Sequence, residues 1–176
     1  MSQRQFDAVT VETVQGDIAN QSDLDAIVNA ANAELRIGGG VAGAIHRAAG
    51  PGLEQECIPL GPIRPGDAVI SAGHNLPNAH VIHCLGPVYG RDEPSDQLLA
   101  SCYRQALMLA DRNGIAGLGF PAISTGIFGY PLAEAAQVAL QTVRDTAPTL
   151  EAVQRVRFVL FSDADLAVFD RALKEL

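Results

Sequence analysis

The chain alternates short β-rich apolar runs with longer stretches of helical periodicity, and this rhythm constrains its fold most. Residues 9–14 alternate like a strand, and residues 25–30 (DAIVNA) form a short apolar run that reads as a buried strand. A helix is expected over 41–49, then strands over 67–72 and 80–85 with an NLPN turn between them. Leu98, Leu99, Cys102, Tyr103, Ala106, Leu107 and Ala110 recur at helical spacing, with Gly114 just beyond. A strand over 117–123, with Pro121 near its end, precedes a helix carrying Leu132, Ala135, Ala136, Ala139, Leu140 and Val143. The run 156–161 (VRFVLF) is a last strand, and Leu166, Phe169, Leu173 and Leu176 mark one face of a last helix. Strands alternating with helices predict an α/β fold on a mostly parallel sheet. With 176 residues and no internal repeat or linker, one domain over 1–176 is expected.

Charge narrows the partners. Twelve Lys plus Arg against twenty Asp plus Glu leave a formal net charge of −8, with no local basic cluster. That balance argues against a grip on nucleic-acid backbone. The three cysteines (Cys57, Cys84, Cys102) have neither paired nor metal-ligand spacing, so no metal is expected. An odd cysteine count, an N-terminus without an apolar leader and the lack of a long apolar run set a cytoplasmic protein without membrane contact as the expectation.

Three loops follow expected strands, where open α/β sheets bind ligands. Gly38, Gly39 and Gly40 lead into the helix of Val41 and Ala42. Such a loop is either a plain turn or an anion cradle built from backbone N–H groups and a helix N-terminus. Ser124, Thr125, Gly126, Ile127 and Phe128 pose the same pair of alternatives. Neither loop has the GK[ST] of a P-loop or the GxGxxG of a dinucleotide site. Asp17, followed by Ile18, caps a turn or accepts from a ligand amine. Asn29 and Asn32 end an apolar run, where their amides serve loop backbone or ligand hydroxyls. His46 and His83 are open to structural or acid–base roles.

Taken in order, GDI, DAIVNAAN, GGGVAGAIHRAAG, VIHCLGP and FPAISTGIFGYP resemble the macrodomain family over nearly the whole chain, closest to its MacroD-type, archaeal and viral hydrolases. The resemblance implies a three-layer α/β/α sandwich around a mixed, mostly parallel sheet. It implies ADP-ribose as ligand, free or on mono-ADP-ribosylated proteins, and no cofactor. Asp17 and Ile18 then meet adenine and Phe161 stacks on it. Gly39, Gly40 and Val41 line one phosphate loop, and Ser124 to Phe128 form the other, with Phe128 against the distal ribose. Asn32 bonds that ribose and orients the attacking water. The activity implied is removal of mono-ADP-ribose from Asp or Glu esters, with deacetylation of O-acetyl-ADP-ribose beside it. A non-catalytic ADP-ribose reader and an ADP-ribose 1″-phosphate phosphatase are the alternatives. One departure bears on mechanism. MacroD-type enzymes read GGGGVDG, whereas here Ile37 replaces the first Gly and Ala42 the Asp proposed to activate water.

Overall fold

A computed structural model describes residues 1–176. In chain order the elements are β1 (Ser2–Phe6), β2 (Val9–Gln15), β3 (Ala26–Ala30), α1 (Gly40–Ala49), α2 (Pro51–Cys57), β4 (Ala68–Ala72), β5 (His80–Cys84), α3 (Ser95–Arg112), β6 (Gly117–Phe120), α4 (Leu132–Thr146), β7 (Arg155–Leu160) and α5 (Asp163–Glu175). The strands form one sheet in the order β1-β2-β7-β6-β3-β5-β4. The four inner pairings are parallel, and the outer pairs β1–β2 and β4–β5 are antiparallel. The expected mixed, mostly parallel sheet is present.

Side chains alternate between the faces of this sheet, as the strand period requires. On β3, Ala26 and Val28 join a core under α3, α4 and α5, while Ile27 joins a smaller core under α1 and α2. Val156, Phe158 and Leu160 of β7 face the larger core, and Val159 faces the smaller. The result is helices on both faces, three layers in all. No helix is long and apolar enough to cross a membrane.

Two elements lie outside the sequence expectation. Strand β1 is a polar edge with only Phe6 buried, so it carries no apolar alternation. Helix α2 is seven residues long and buries only Leu53 and Cys57, too short a stripe to show a period. The strands over 117–123 and 156–161 stop at Phe120 and Leu160. The residues beyond them, Pro121 to Ile123 and Phe161, belong to the loops at the carboxyl end of the sheet.

That end is where the fold brings its loops together. Because β2, β7, β6, β3 and β5 run in one direction, the segments after all five emerge on one edge. After β3 the chain leaves through α1 toward β5, and after β6 it leaves through α4 toward β7, on the opposite side. A crevice opens between such diverging connections.

The larger core also fixes one of these loops. Tyr103 of α3 is fully buried against Phe120, with ring centroids 5.0 Å apart, and Phe120 stacks on Phe158 at 5.6 Å. The Tyr103 hydroxyl accepts from the Ile123 N–H at 3.2 Å and donates to the Pro121 carbonyl at 3.4 Å. The start of the loop after β6 is thereby clamped from below. Tyr103→Phe keeps the packing but leaves a buried N–H without an acceptor, at a cost of about 1–3 kcal/mol. A lower urea midpoint with an unchanged denaturant slope is the expected result. An unchanged midpoint would show that the loop does not depend on the clamp.

Candidate functional site

The crevice is one continuous cleft made of two cavities, of about 820 and about 420 Å³, which share Gly40 and Val41. The larger is bordered by Asp17, Ile18 and Phe161. The smaller lies between Asn32, the glycines 38–40 and the loop of Ser124, Gly126, Ile127 and Phe128.

The first wall comes from the helix α1 N-terminus. Its N-cap is Gly39, no side chain caps it, and no acidic residue stands in its first turn. The N–H groups of Gly38, Gly39, Gly40, Val41 and Ala42 therefore reach no protein acceptor; the first intrahelical bond runs from the Gly43 N–H to the Gly39 carbonyl at 3.2 Å. Gly40 has φ +55°, a conformation that glycine adopts freely. A Cβ at Gly39 or Gly40 would meet nothing within 4 Å, so their backbone faces open space. At Gly43 a Cβ would lie 2.5 Å from the Gly38 carbonyl oxygen. Hydrogen at that position lets the loop seat directly on the helix.

The second wall is the loop after β6. The Tyr130 N–H donates to the Ser124 carbonyl and the Gly129 N–H to the Gly126 carbonyl, at 2.9 and 3.0 Å. The bend leaves the N–H groups of Gly126, Ile127 and Phe128 without a protein acceptor. Ser124 takes φ +68°, and its buried hydroxyl has no partner. Ile127 is fully exposed at the rim, while Phe128 is half-buried. Eight free amides thus border one cleft, and no lysine or arginine borders the smaller cavity.

At the wide end, Asp17 caps a turn and also borders the cavity. One carboxylate oxygen accepts from the Ala19 N–H at 2.9 Å. Ile18 is buried beneath, and Phe161, just past β7, is 91% exposed with its ring free to stack.

Two expected residues are placed differently, and a third, Asn32, is partly committed to the backbone. Asn29 is only 1% exposed, on β3 below the cleft, so the expected ligand contact from it is withdrawn. Its Nδ2 donates to His83 Nδ1 at 3.1 Å. Thr125 turns its hydroxyl to the Ala122 carbonyl at 2.8 Å and stands outside the cavity lining, so it too is withdrawn as a side-chain contact. Asn32 borders the cleft, but its amide is already tied to one backbone unit. Its Nδ2 donates to the Arg36 carbonyl at 2.8 Å, and its Oδ1 accepts from the Arg36 N–H at 3.0 Å. One N–H of the amide is left over. Sequence reasoning missed Arg47, which borders the wide end; its signal was its place seven residues after Gly40, on the same helix face.

The two histidines lie behind the wall, not in it. His83 is fully buried, with Nε2 2.9 Å from Ser71 Oγ and 3.3 Å from Cys57 Sγ. Burial, with His46 nearby, pushes its pKa down to about 3. His46 is 4% exposed with its Nε2 unpartnered, and burial lowers its pKa against a weaker opposing pull from Glu54. All three cysteines are free and buried.

With this geometry in hand, comparisons with known proteins are specific. The Macro domain family model matches residues 28–139. The chain is 47% identical over 168 residues to the ADP-ribose glycohydrolase MACROD2 of Xenopus laevis, covering 94% of this chain and 40% of that protein. It is 45% identical over 171 residues to the O-acetyl-ADP-ribose deacetylase of Klebsiella pneumoniae, covering 94% and 97%. The Oceanobacillus iheyensis macrodomain solved with ADP superposes with a TM-score of 0.93 at 38% identity, covering 99% of this chain and 95% of that one.

The buried imidazoles make folding stability pH-dependent. In the unfolded chain His83 protonates near its ordinary 6.5, but in the fold only near about 3. The unfolded state therefore binds the extra proton as pH falls between these values, and stability declines across that window. His46 is shifted in the same direction. Urea unfolding followed from about pH 7 down to about pH 5 should show proton uptake on unfolding that rises to about one or more per chain at the acid end. A flat profile would contradict a neutral buried His83.

Proposed function

The chain belongs to the macrodomain family, and on that premise we propose that residues 1–176 form one domain that hydrolyses ADP-ribosyl esters. Its substrates are mono-ADP-ribosylated Asp or Glu side chains, with O-acetyl-ADP-ribose as a small-molecule counterpart. The eight unpartnered amides on two facing loops carry this reading. A diphosphate is the ligand group whose two phosphates need two such cradles at once. Adenine fits the end bordered by Asp17, Ile18 and Phe161, where one carboxylate selects an amine and a free ring stacks. The distal ribose then reaches Asn32 and Phe128. The free cysteines support a cytoplasmic setting.

No protein nucleophile is required. Hydrolysis at either end of the ester linkage yields ADP-ribose and a free carboxylate. The remaining N–H of Asn32, held by the ring of bonds to Arg36, is the group we assign to place water against the linkage. Positioning a bound reactant and water in this way is a recognised source of rate. The amides around the diphosphate hold the rest of the substrate rigid while that happens.

Ala42 favours a second reading, a reader that binds ADP-ribose without turnover, since no carboxylate stands in the first turn of α1 to activate water. Incubation with a mono-ADP-ribosylated glutamate substrate separates the two. Release of ADP-ribose supports the hydrolase, and binding without release supports the reader. For the hydrolase, Asn32→Ala should lower kcat by roughly 100-fold; full activity in that variant would remove Asn32 from the reaction.

Binding itself has a sharper test. Gly39→Glu and Gly126→Glu each place a carboxylate where a Cβ meets nothing within 4 Å, so the fold has room for them while the anion cradle does not. Calorimetry should detect no ADP-ribose binding by either variant, with the unfolding midpoint near that of the parent. Retained affinity in both would refute the cradle.

A further inference from the structure

We propose that Arg47 makes the wide end of the cleft selective for a phosphomonoester carried on the adenosine ribose. The inference rests on the ADP-ribose reading above and adds a ligand class to it.

The wide cavity is about twice the volume of the narrow one, and Arg47 is its only cation. Asp17 is its only carboxylate, and it stands at the adenine end with one oxygen already on the Ala19 N–H. Arg47 makes no ion pair and no hydrogen bond within the protein, unlike Arg155 and Arg157, which are tied to Glu12 and Asp23. Its position is nonetheless defined. A Cβ at Gly43 would come within 2.8 Å of Arg47 Nη1, so the guanidinium folds back over the first turn of α1. The hydrogen at Gly43 leaves room for it.

Helical spacing then says what the guanidinium faces. Gly40, Ala44 and Arg47 stand at i, i+4 and i+7 and border the same cavity. With adenine against Asp17 and Phe161 and the diphosphate on the amides of Gly39 to Val41, the adenosine ribose has to bridge the two over this helix face. Its hydroxyls lie beside a guanidinium that has no other partner. Arginine presents five donors in a planar fork that matches phosphate oxygens two at a time. An arginine near the adenosine ribose is also how dinucleotide sites accept a 2′-phosphate. Unmodified ADP-ribose offers that fork only neutral hydroxyls.

The test is calorimetry on the intact chain with ADP-ribose and with ADP-ribose 2′-phosphate, for the parent, Arg47→Ala and Arg47→Lys. The parent should bind the phosphorylated ligand about tenfold more tightly at low ionic strength. Arg47→Ala should bring the ratio to about one, and Arg47→Lys, with charge but no fork, should fall between. Added salt should shrink the preference, because the guanidinium is exposed. Two results would overturn the proposal while leaving the ADP-ribose reading intact. One is a parent with no preference. The other is Arg47→Ala weakening both ligands by one factor, which would put the guanidinium on the diphosphate. A parent that binds neither ligand refutes the ADP-ribose reading and this proposal with it.

Discussion

A backbone N–H that no protein acceptor satisfies is the constraint around which this structure is arranged. Helix starts leave four such groups in every protein, to be satisfied by a capping side chain, by water or by a ligand. Here the cap is Gly39 and the first turn holds no carboxylate, so the amides from Gly38 to Ala42 stay open. The loop after β6 adds three more from a different part of the chain. The parallel sheet brings the two sets together. Strands β3 and β6 are direct neighbours running in one direction, so the loops leaving them must face each other across the switch in connectivity. An acidic chain of net charge −8 can then offer an anion site without lysine or arginine between these loops.

The supports behind the loops are small residues and buried polar ties. Gly43 lets the first loop rest on α1, and Gly86 leaves no space for a Cβ beside the Ser124 hydroxyl. Tyr103 reaches from the larger core to hold Pro121 and Ile123. On the other face, Asn29 and His83 tie β3 to β5 through a side-chain bond alongside the backbone ladder. Of the supports Gly43, Gly86, Tyr103, Asn29 and His83, only Gly86 borders the cleft, yet together they set the direction in which its amides point.

What the sequence disclosed follows the same division. Glycine triplets, strand–loop–helix order and apolar periodicity are local signals; the α/β class, the mostly parallel sheet and the position of both loops were legible from them, while the three layers, the mixed sheet and the anion-binding role came with the family resemblance. Side-chain direction is not local. Asn29 and Asn32 look alike in NAAN, but β3 ends between them at Ala30, so one faces the buried interior and the other the cleft. Thr125 sits in the correct loop and turns back to Ala122 because the bend offers it a nearer acceptor than the cleft does. Strand β1 escaped because an edge strand with one buried residue has no apolar period. Arg47 escaped because its meaning depends on Gly43, four residues earlier, having no side chain in its path.

The division of labour within the cleft limits where rate acceleration can arise. On the proposed reading the diphosphate is unchanged by hydrolysis, so amides that hold it would bind substrate and product alike. Interactions of equal strength before and at the transition state lower the substrate concentration needed but do not speed the chemical step. Any acceleration must come from groups near the distal ribose, where bonds change. There the only polar side chains bordering the narrow end are Asn32 and Ser124, among apolar ones such as Ile123, Ile127 and Phe128. Ser124 is buried with no partner, and Asn32 has one N–H left after closing its ring with Arg36. Because no side-chain base borders the narrow end, the proposed hydrolysis would depend on where water is held and on the charge of the phosphate beside it. That is why a loop tied down at both ends of an amide matters here as much as the residue that the loop presents.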